Sequence, residues 1–225
     1  MELRFFEIYR EPDYLFLLAE GVGTSILITI LAGIFGFVLA TFLALSRYWN
    51  IPLIKYISTA YVEFIRNTPL IVQLFFVAFG LPLLLGYEWP FWAHAVLALT
   101  LNFSGYFAEI LRSSFQSISH HQNEAAASLG LPPRTTFWKV LFPQAIAVSF
   151  PSLNSQFIFL FLTTGIISEI GVRDLTYAGL FIDSRTFRSF EVFITLTCLY
   201  IGIAVSFKAA LAWLDGKLFP WKASR

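Results

Sequence analysis

The chain has 225 residues, of which 57% are hydrophobic and only 13% are charged. Soluble domains carry roughly 25% charged residues, so this composition excludes a water-soluble protein and indicates an integral membrane protein. The formal net charge of +1 gives no indication of a nucleic-acid partner. The single cysteine, Cys198, cannot form an internal disulfide, and its place inside an apolar run predicts inert packing.

Five apolar runs follow one another along the chain, and each is long enough for a helix to cross the hydrocarbon layer, which takes roughly 20 residues. The first fourteen residues carry four acidic side chains, so we expect no cleavable signal peptide. The second run is interrupted by Asn67-Thr68-Pro69, and we expect that span to borrow the turn that carries Glu63 and Arg66. The runs cover residues 22–45, 53–85, 91–110, 145–167 and 192–214.

The first run places a small residue at every fourth position, which predicts close approach of another helix on that face. These residues are Ala32, Gly36, Ala40 and Ala44. We therefore predict an all-α integral membrane protein with five transmembrane helices, whereas four or six would require discarding or splitting the second run. Residues 1–20 are expected to be an N-terminal extracytoplasmic segment, residues 21–213 the transmembrane domain, and residues 214–225 a cytoplasmic tail.

The distribution of basic residues predicts the orientation, because cytoplasmic loops are enriched in Lys and Arg. An N-terminus outside and a C-terminus inside place ten basic residues on the cytoplasmic side and five outside. The cytoplasmic set is Arg47, Lys55, Arg66, Arg112, Arg134, Lys139, Lys208, Lys217, Lys222 and Arg225. The outside set is Arg4, Arg10, Arg173, Arg185 and Arg188.

In this orientation, the loop between the third and fourth spans faces the cytoplasm. Residues 124–128 favour a helix, and Gly130 can then adopt the left-handed conformation that ends one. Pro132 and Pro133 prevent the helix from continuing. The pattern predicts a short surface helix on which a partner can dock, although an ordinary loop helix fits these residues equally well.

Several segments resemble the signatures of one family. Glu124-Ala125-Ala126, Gly130 and Val140-Leu141-Phe142-Pro143 together resemble the EAA loop of ABC-transporter permeases, with Val140 and Phe142 in place of Ile and Leu. Residues 61–82 resemble the family's Y-V-E-x-x-R-G-T-P-L-L-V-Q-L signature, with Asn67 in place of Gly. Residues 102–118 resemble its N-x-x-A-Y-x-A-E-I segment. The chain is thus similar to the polar-amino-acid branch, the histidine, glutamine and arginine type of importer permease.

This resemblance implies a type I ABC importer fold in the bacterial inner membrane. It also implies a second permease subunit, identical or homologous, two ATP-binding subunits and an extracytoplasmic amino-acid-binding protein. We expect no metal or cofactor on this chain and ATP on the separate ATPase, because Gly216-Lys217 is followed by Leu218 and not by the Ser or Thr of a P-loop. The resemblance assigns ATPase coupling to Glu124, Ala125, Ala126, Gly130 and Pro143.

Polar side chains inside the spans are the candidates for a substrate pathway, because they are costly in lipid and tend to face a bundle interior. Glu63 and Arg66 either form an ion pair that holds the broken helix or receive the carboxylate and ammonium of an amino acid. Backbone groups freed at a helix break often form ligand sites in transporters. The predicted pathway set is Glu63, Arg66, Thr68, Asn102, Ser104, Tyr106, Glu109, Thr163 and Thr164.

The fourth span departs from the family where an acidic residue is common. Many members read L-K-D-T-S-L where this chain has Leu162 and Thr163 in place of Lys and Asp. Because that Asp would anchor a cation, we expect a polar or neutral amino acid, unless a partner subunit or Glu169 supplies a carboxylate. The alternative is a passive channel or a non-transporting membrane scaffold, and a channel has no use for an ATPase-docking helix.

Overall fold

The structure is a computed structural model that describes residues 4–118 and 120–222, with only the backbone of His120. Every regular element in these ranges is helical. The elements are α1 (Phe6–Tyr9), α2 (Pro12–Tyr48), α3 (Ile54–Arg66), α4 (Leu70–Phe75), a π-helical turn (Phe76–Gly80), α5 (Leu81–Leu85), α6 (Phe91–Ser117), α7 (His120–Ser128), α8 (Pro133–Thr136), a second π-helical turn (Phe137–Leu141), α9 (Phe142–Thr163), a 3₁₀ helix (Thr164–Ile170), α10 (Leu175–Thr186), α11 (Ser189–Leu218) and a final 3₁₀ turn (Pro220–Lys222).

Within the described ranges, three helical segments are long and apolar enough to cross a membrane: Pro12–Tyr48, Pro133–Ile170 and Ser189–Leu218. The pair α3 and α4–α5 makes a fourth candidate if its two halves form one span. The predicted third span lies in α6, which is 27 residues long, but polar residues such as Asn102 and Glu109 lower its mean hydropathy. The predicted count of five spans is therefore not confirmed by length and composition.

The predicted break in the second apolar run is confirmed, and it is sharper than expected. The helices Ile54–Arg66 and Leu70–Leu85 are bent by 109° at the break. Pro69 has an extended backbone and no N–H group, so the helical hydrogen-bond ladder cannot run through it. The turn with Glu63 and Arg66 is therefore not a straight extension of the following helix, and its inclusion in the second span stays a prediction.

The face of small residues on α2 is buried, as predicted. Ala32, Ala40 and Ala44 have no exposed surface, and Gly36 is buried as well. Small side chains let neighbouring helices approach closely, so α2 packs against its neighbours through this face.

The chain divides into two compact units. The first consists of the residues up to Ile34, Thr68–Thr100 and Phe157–Ala209. In its core, Leu18, Leu175 and Ile182 pack around Ile8 of α1, and the hydroxyl groups of Tyr9 and Thr195 are 2.8 Å apart.

Asp174 caps α10 by accepting a hydrogen bond from the backbone N–H of Tyr177, and burial raises the pKa of its carboxyl to about 6. Cys198, expected to be packed inside, is exposed on α11.

The second unit consists of Phe35–Asn67, Leu101–Gln156 and the chain from Ala210 onwards. An aromatic cluster joins the end of α2 to α6 and to the second π-helical turn. The rings of Tyr48, Phe115 and Phe137 form a triangle with centroid distances of 5.3 to 5.9 Å. Phe137 also contacts Trp138 at 5.1 Å. The rings carry much of the packing in this unit, since each buries a large apolar area.

Candidate functional site

Helices α3 and α6 pack closely in the second unit, where most of the predicted pathway residues lie. The Tyr61 hydroxyl lies 3.0 Å from the Leu101 carbonyl oxygen and 2.9 Å from the fully buried Ser104 hydroxyl. Gly105 permits this approach, because a Cβ atom there would lie only 2.9 Å from Cγ2 of Ile65. Ser104 therefore holds two helices together, and it has no free surface for a substrate.

Glu63 and Arg66 are both exposed in the second unit, and of the two alternatives for them the structure does not form the ion pair. The Glu63 carboxylate accepts a hydrogen bond from the Asn67 side-chain amide at 3.3 Å. The Arg66 guanidinium lies over the ring of Tyr106, 5.8 Å from its centroid, in cation–π geometry. Within the described ranges no ion pair joins these two residues, because each has a different neighbour within reach. Both charges stay at the surface, where a ligand can reach them.

Glu109 is held by two arginines. Its carboxylate accepts from Arg47 Nη1 at 3.1 Å and from Arg112 Nε at 3.0 Å, and Arg112 Nη2 makes a further short contact. The three side chains are 13% to 27% exposed, so the bridge is largely shielded from solvent. This arrangement ties the end of α2 to α6 and occupies both carboxylate oxygens of Glu109.

The other predicted pathway residues have local partners. Asn102 is 4% exposed on α6. In the first unit, Thr68 accepts a hydrogen bond from the Gln73 side chain at 2.5 Å, which fixes the turn after the break. Thr164 is fully buried and donates to the Phe161 carbonyl at 2.7 Å. Thr163 is half-buried and donates within its own helix. Of these four, Thr68 and Thr163 are half-buried, whereas Asn102 and Thr164 are buried.

The predicted residues thus fall into two groups, one in each unit. The second unit holds Glu63, Arg66, Asn102, Ser104, Tyr106 and Glu109, and the first holds Thr68, Thr163 and Thr164. Tyr61 and Gly105 also belong to the α3–α6 contact but were not predicted. A glycine in the middle of a long helix was the available signal, because such a residue often marks a close approach.

The predicted surface helix is present as α7, and it begins at His120, four residues before Glu124. Gly130 has a φ of +72° and ends the helix. Its N–H donates to the Ala127 carbonyl at 2.9 Å, and the next N–H, that of Leu131, donates to the Ala126 carbonyl at 3.0 Å. This hydrogen-bond pair is the Schellman motif, so the predicted cap is confirmed.

The predicted coupling residues differ in accessibility. Glu124, Ala125 and Gly130 are exposed, whereas Ala126 is only 4% exposed and packs within this chain. The Glu124 carboxylate lies 3.1 Å from His121 Nδ1. Pro143 is half-buried in the first turn of α9. A partner can therefore contact the Glu124–Ala125 side and the exposed end of α7.

The α3–α6 contact yields a stability prediction. We expect Gly105→Ala to lower the free energy of unfolding by about 1–3 kcal/mol, because the new methyl group collides with Ile65. Gly105→Ala should cost less in an Ile65→Ala background, so the double variant should lose less than the sum of the two single losses. The matched control is Gly202→Ala, a helical glycine with no atom within 4 Å of the new Cβ. Thermal unfolding of the purified variants measures the effect, and equal behaviour of Gly105→Ala and Gly202→Ala would contradict it.

Comparisons with known proteins identify the family. Residues 36–220 match the family described as the binding-protein-dependent transport system inner membrane component. The chain is 34% identical over 210 residues to the L-cystine transport system permease protein TcyL of Bacillus subtilis, covering 90% of this chain and 87% of that one. It is 33% identical over 190 residues to the arginine transport system permease protein ArtQ of Bacillus subtilis, covering 84% and 86%. A crystal structure of an amino acid ABC transporter with histidines aligns with a TM-score of 0.86 and 34% identity, over 96% of this chain and 100% of that one. The chain belongs to the family of binding-protein-dependent transport system inner membrane components.

Proposed function

We propose that this chain is the membrane-spanning permease subunit of an ATP-driven importer, which translocates a polar or neutral amino acid delivered by a solute-binding protein. The observation that carries the proposal is α7, an exposed helix ended by a Schellman motif inside the EAA-like segment. A passive channel or a scaffold has no use for such a docking element. The names of the relatives, which refer to cystine and arginine transport, support an amino acid as the substrate.

The proposed assembly contains two permease subunits, two ATP-binding subunits and an extracytoplasmic binding protein. ATP is hydrolysed on the ATP-binding subunits, and this chain contributes the pathway. Purification of the tagged chain from its native membrane should recover an ATPase, whose activity rises when binding protein and one amino acid are added together. Recovery of the chain without any ATPase, from membranes that contain one, would favour the channel or scaffold.

We also propose five spans, with α6 as the third, an outside N-terminus and a cytoplasmic C-terminus. At about 1.5 Å per residue, the 27 residues of α6 extend roughly 40 Å, enough to cross the hydrocarbon layer. The basic residues support this orientation. Eight of the nine described members of the cytoplasmic set lie in the second unit, and all five members of the outside set lie in the first.

Cysteine labelling tests the orientation. Ser128 and Ser184 are both exposed, at the ends of α7 and α10. In a Cys198→Ser background, which is required because Cys198 is exposed, an impermeant thiol reagent on intact cells should label Ser184→Cys and not Ser128→Cys. Permeabilised cells, in which both positions should react, provide the control. The reverse labelling pattern would invert the topology.

Substrate selection is testable at Thr163, the accessible one of the two threonines on the fourth span. Thr163→Asp should shift uptake towards arginine and lysine over glutamine by about tenfold, a difference of about 1.4 kcal/mol, because the carboxylate attracts a cationic side chain. The control Thr163→Asn has the same shape without the charge and should leave the ranking unchanged. Competition uptake against a panel of amino acids gives the ranking, and an unchanged ranking in a normally expressed Thr163→Asp variant would place the selecting residues elsewhere.

A further inference from the structure

A cavity of about 290 Å³ opens in the second unit between the end of α2, α3 and α6. Its lining combines the ring of Tyr48 and the aliphatic stems of long side chains with polar and charged groups. Three basic side chains, Arg47, Lys55 and Arg112, share it with the neutral polar side chains of Asn50, Thr59 and Gln116. None of these residues belongs to the predicted pathway or to the coupling segment.

The cations in this cavity outnumber the carboxylates. Among the described residues, only Glu109 forms an ion pair with any of the three, and it lies between Arg47 and Arg112. Lys55 donates to the neutral Asn50 side chain at 2.8 Å. Glu63 also interacts electrostatically with Arg112, so three cations stand against two carboxylates and one positive charge is left uncompensated. A guanidinium has five N–H donors and an ammonium three, so donors remain available to an anion after these hydrogen bonds are made.

The chemistry of these donors favours a phosphate group. Arginine and lysine form charge-assisted hydrogen bonds with phosphate oxygens, and basic pockets between membrane helices bind lipid head groups. The cavity has several times the roughly 30 Å³ that one water occupies in the liquid, so it has room for a phosphate together with part of a head group.

The surface beside the cavity indicates where that phosphate comes from. Helix α3, which supplies Lys55 and Thr59, also exposes the large side chain of Tyr56, which is 71% exposed and whose ring centroid lies 5.9 Å from Lys55 Nζ. Acyl chains gain favourable apolar contact from such a surface, whereas a free phosphate ion gains nothing from it. We propose that this cavity binds the phosphate of an anionic membrane lipid, with the acyl chains against the exposed side of α3.

Titration with short-chain lipids tests the proposal. The delipidated chain, purified with the subunits that accompany it, is titrated calorimetrically with dihexanoyl-phosphatidylglycerol, dihexanoyl-phosphatidylcholine or inorganic phosphate at matched concentrations. We expect saturable binding of phosphatidylglycerol that weakens with added salt, because charge pairing is screened. Phosphatidylcholine should bind more weakly, since its own cation offsets the phosphate, and inorganic phosphate should not displace phosphatidylglycerol.

Substitutions of lysine locate the binding. Lys55→Gln should weaken phosphatidylglycerol binding by about fivefold, the contribution of one basic residue near a lipid surface. Lys55→Arg should retain it. The matched control Lys139→Gln removes the same charge from an exposed position in the same unit but outside the cavity, and it should have no effect. Equal binding by Lys55→Gln and the unmodified protein would overturn the site, and displacement by inorganic phosphate would overturn its assignment to a lipid.

Discussion

Replacing Gly130 with valine is expected to uncouple this subunit from its ATPase, with amino acid uptake reduced by about tenfold or more. A left-handed conformation costs an L-residue roughly 1–2 kcal/mol, and about 1.4 kcal/mol is already a factor of ten. Gly130 has a φ of +72°, so valine forces the backbone out of the Schellman motif and breaks the hydrogen bonds to Ala126 and Ala127. The exposed end of α7 then loses its shape. Uptake into cells and the amount of ATPase that co-purifies with the tagged chain measure the loss.

Gly86→Val is the matched control for this substitution. Gly86 ends α5 with a φ of +68° and, like Gly130, has no atom within 4 Å of an added Cβ. The backbone penalty is therefore similar, but it falls far along the chain from α7. Gly86→Val should retain the ATPase, whereas Gly130→Val should lose it. Equal ATPase recovery from both variants would rule out a coupling role for the α7 cap.

The second large effect is expected from Glu109→Gln, which leaves two arginines facing a neutral amide. Hydrogen bonds to charged groups contribute roughly 1.5–3 kcal/mol, and Glu109 accepts from both Arg47 and Arg112 in a poorly exposed position. We expect the free energy of unfolding to fall by about 2 kcal/mol, equivalent to roughly 4–8 °C in Tm for a chain of this size. Thermal unfolding of the purified protein, followed by intrinsic fluorescence, checks this value.

Glu7 provides the comparison, because it too lies between two arginines but at the surface. Its carboxylate is 42% exposed and meets Arg188 at 3.1 Å and Arg4 at 3.5 Å. Exposed ion pairs contribute about 1 kcal/mol or less, so Glu7→Gln should lower Tm by much less than Glu109→Gln. The same Glu109→Gln protein should bind phosphatidylglycerol more tightly, since its cavity gains a net positive charge. A Tm loss for Glu7→Gln as large as that for Glu109→Gln would show that shielding from solvent is not what gives the Glu109 bridge its strength.

Local features of the fold were predictable from the sequence. The break at Pro69, the left-handed cap at Gly130 and the buried small face that includes Ala40 each depend on a few neighbouring residues and on backbone geometry. The helix starts were less predictable. The long helix α2 begins at Pro12 and α7 at His120, because helices continue beyond the apolar or Ala-rich runs that reveal them.

The site was harder to predict, since its contacts join residues far apart in the chain. The spacing of Glu63 and Arg66 allowed an ion pair, but Asn67 and Tyr106 compete successfully for the two charges. The bond between Tyr61 and Ser104 spans 43 positions, and no local pattern identifies such a pair. The count of five spans also stays a prediction, because the polar residues that make α6 a candidate lining helix lower its hydropathy.

The packing of α1 against later helices means that its core is completed only late in synthesis. Ile8 is 1% exposed in a core that includes α10 and α11, and Tyr9 contacts Thr195 across 186 positions. Because a ribosome makes the chain from its N-terminus, α1 emerges first and its binding surface emerges last. Until α11 has been inserted, the core around Ile8 lacks Val192 and Leu196, and the Tyr9 hydroxyl lacks its Thr195 partner. A chain that stops before Thr195 therefore leaves the packing of its first helix incomplete as well as its last.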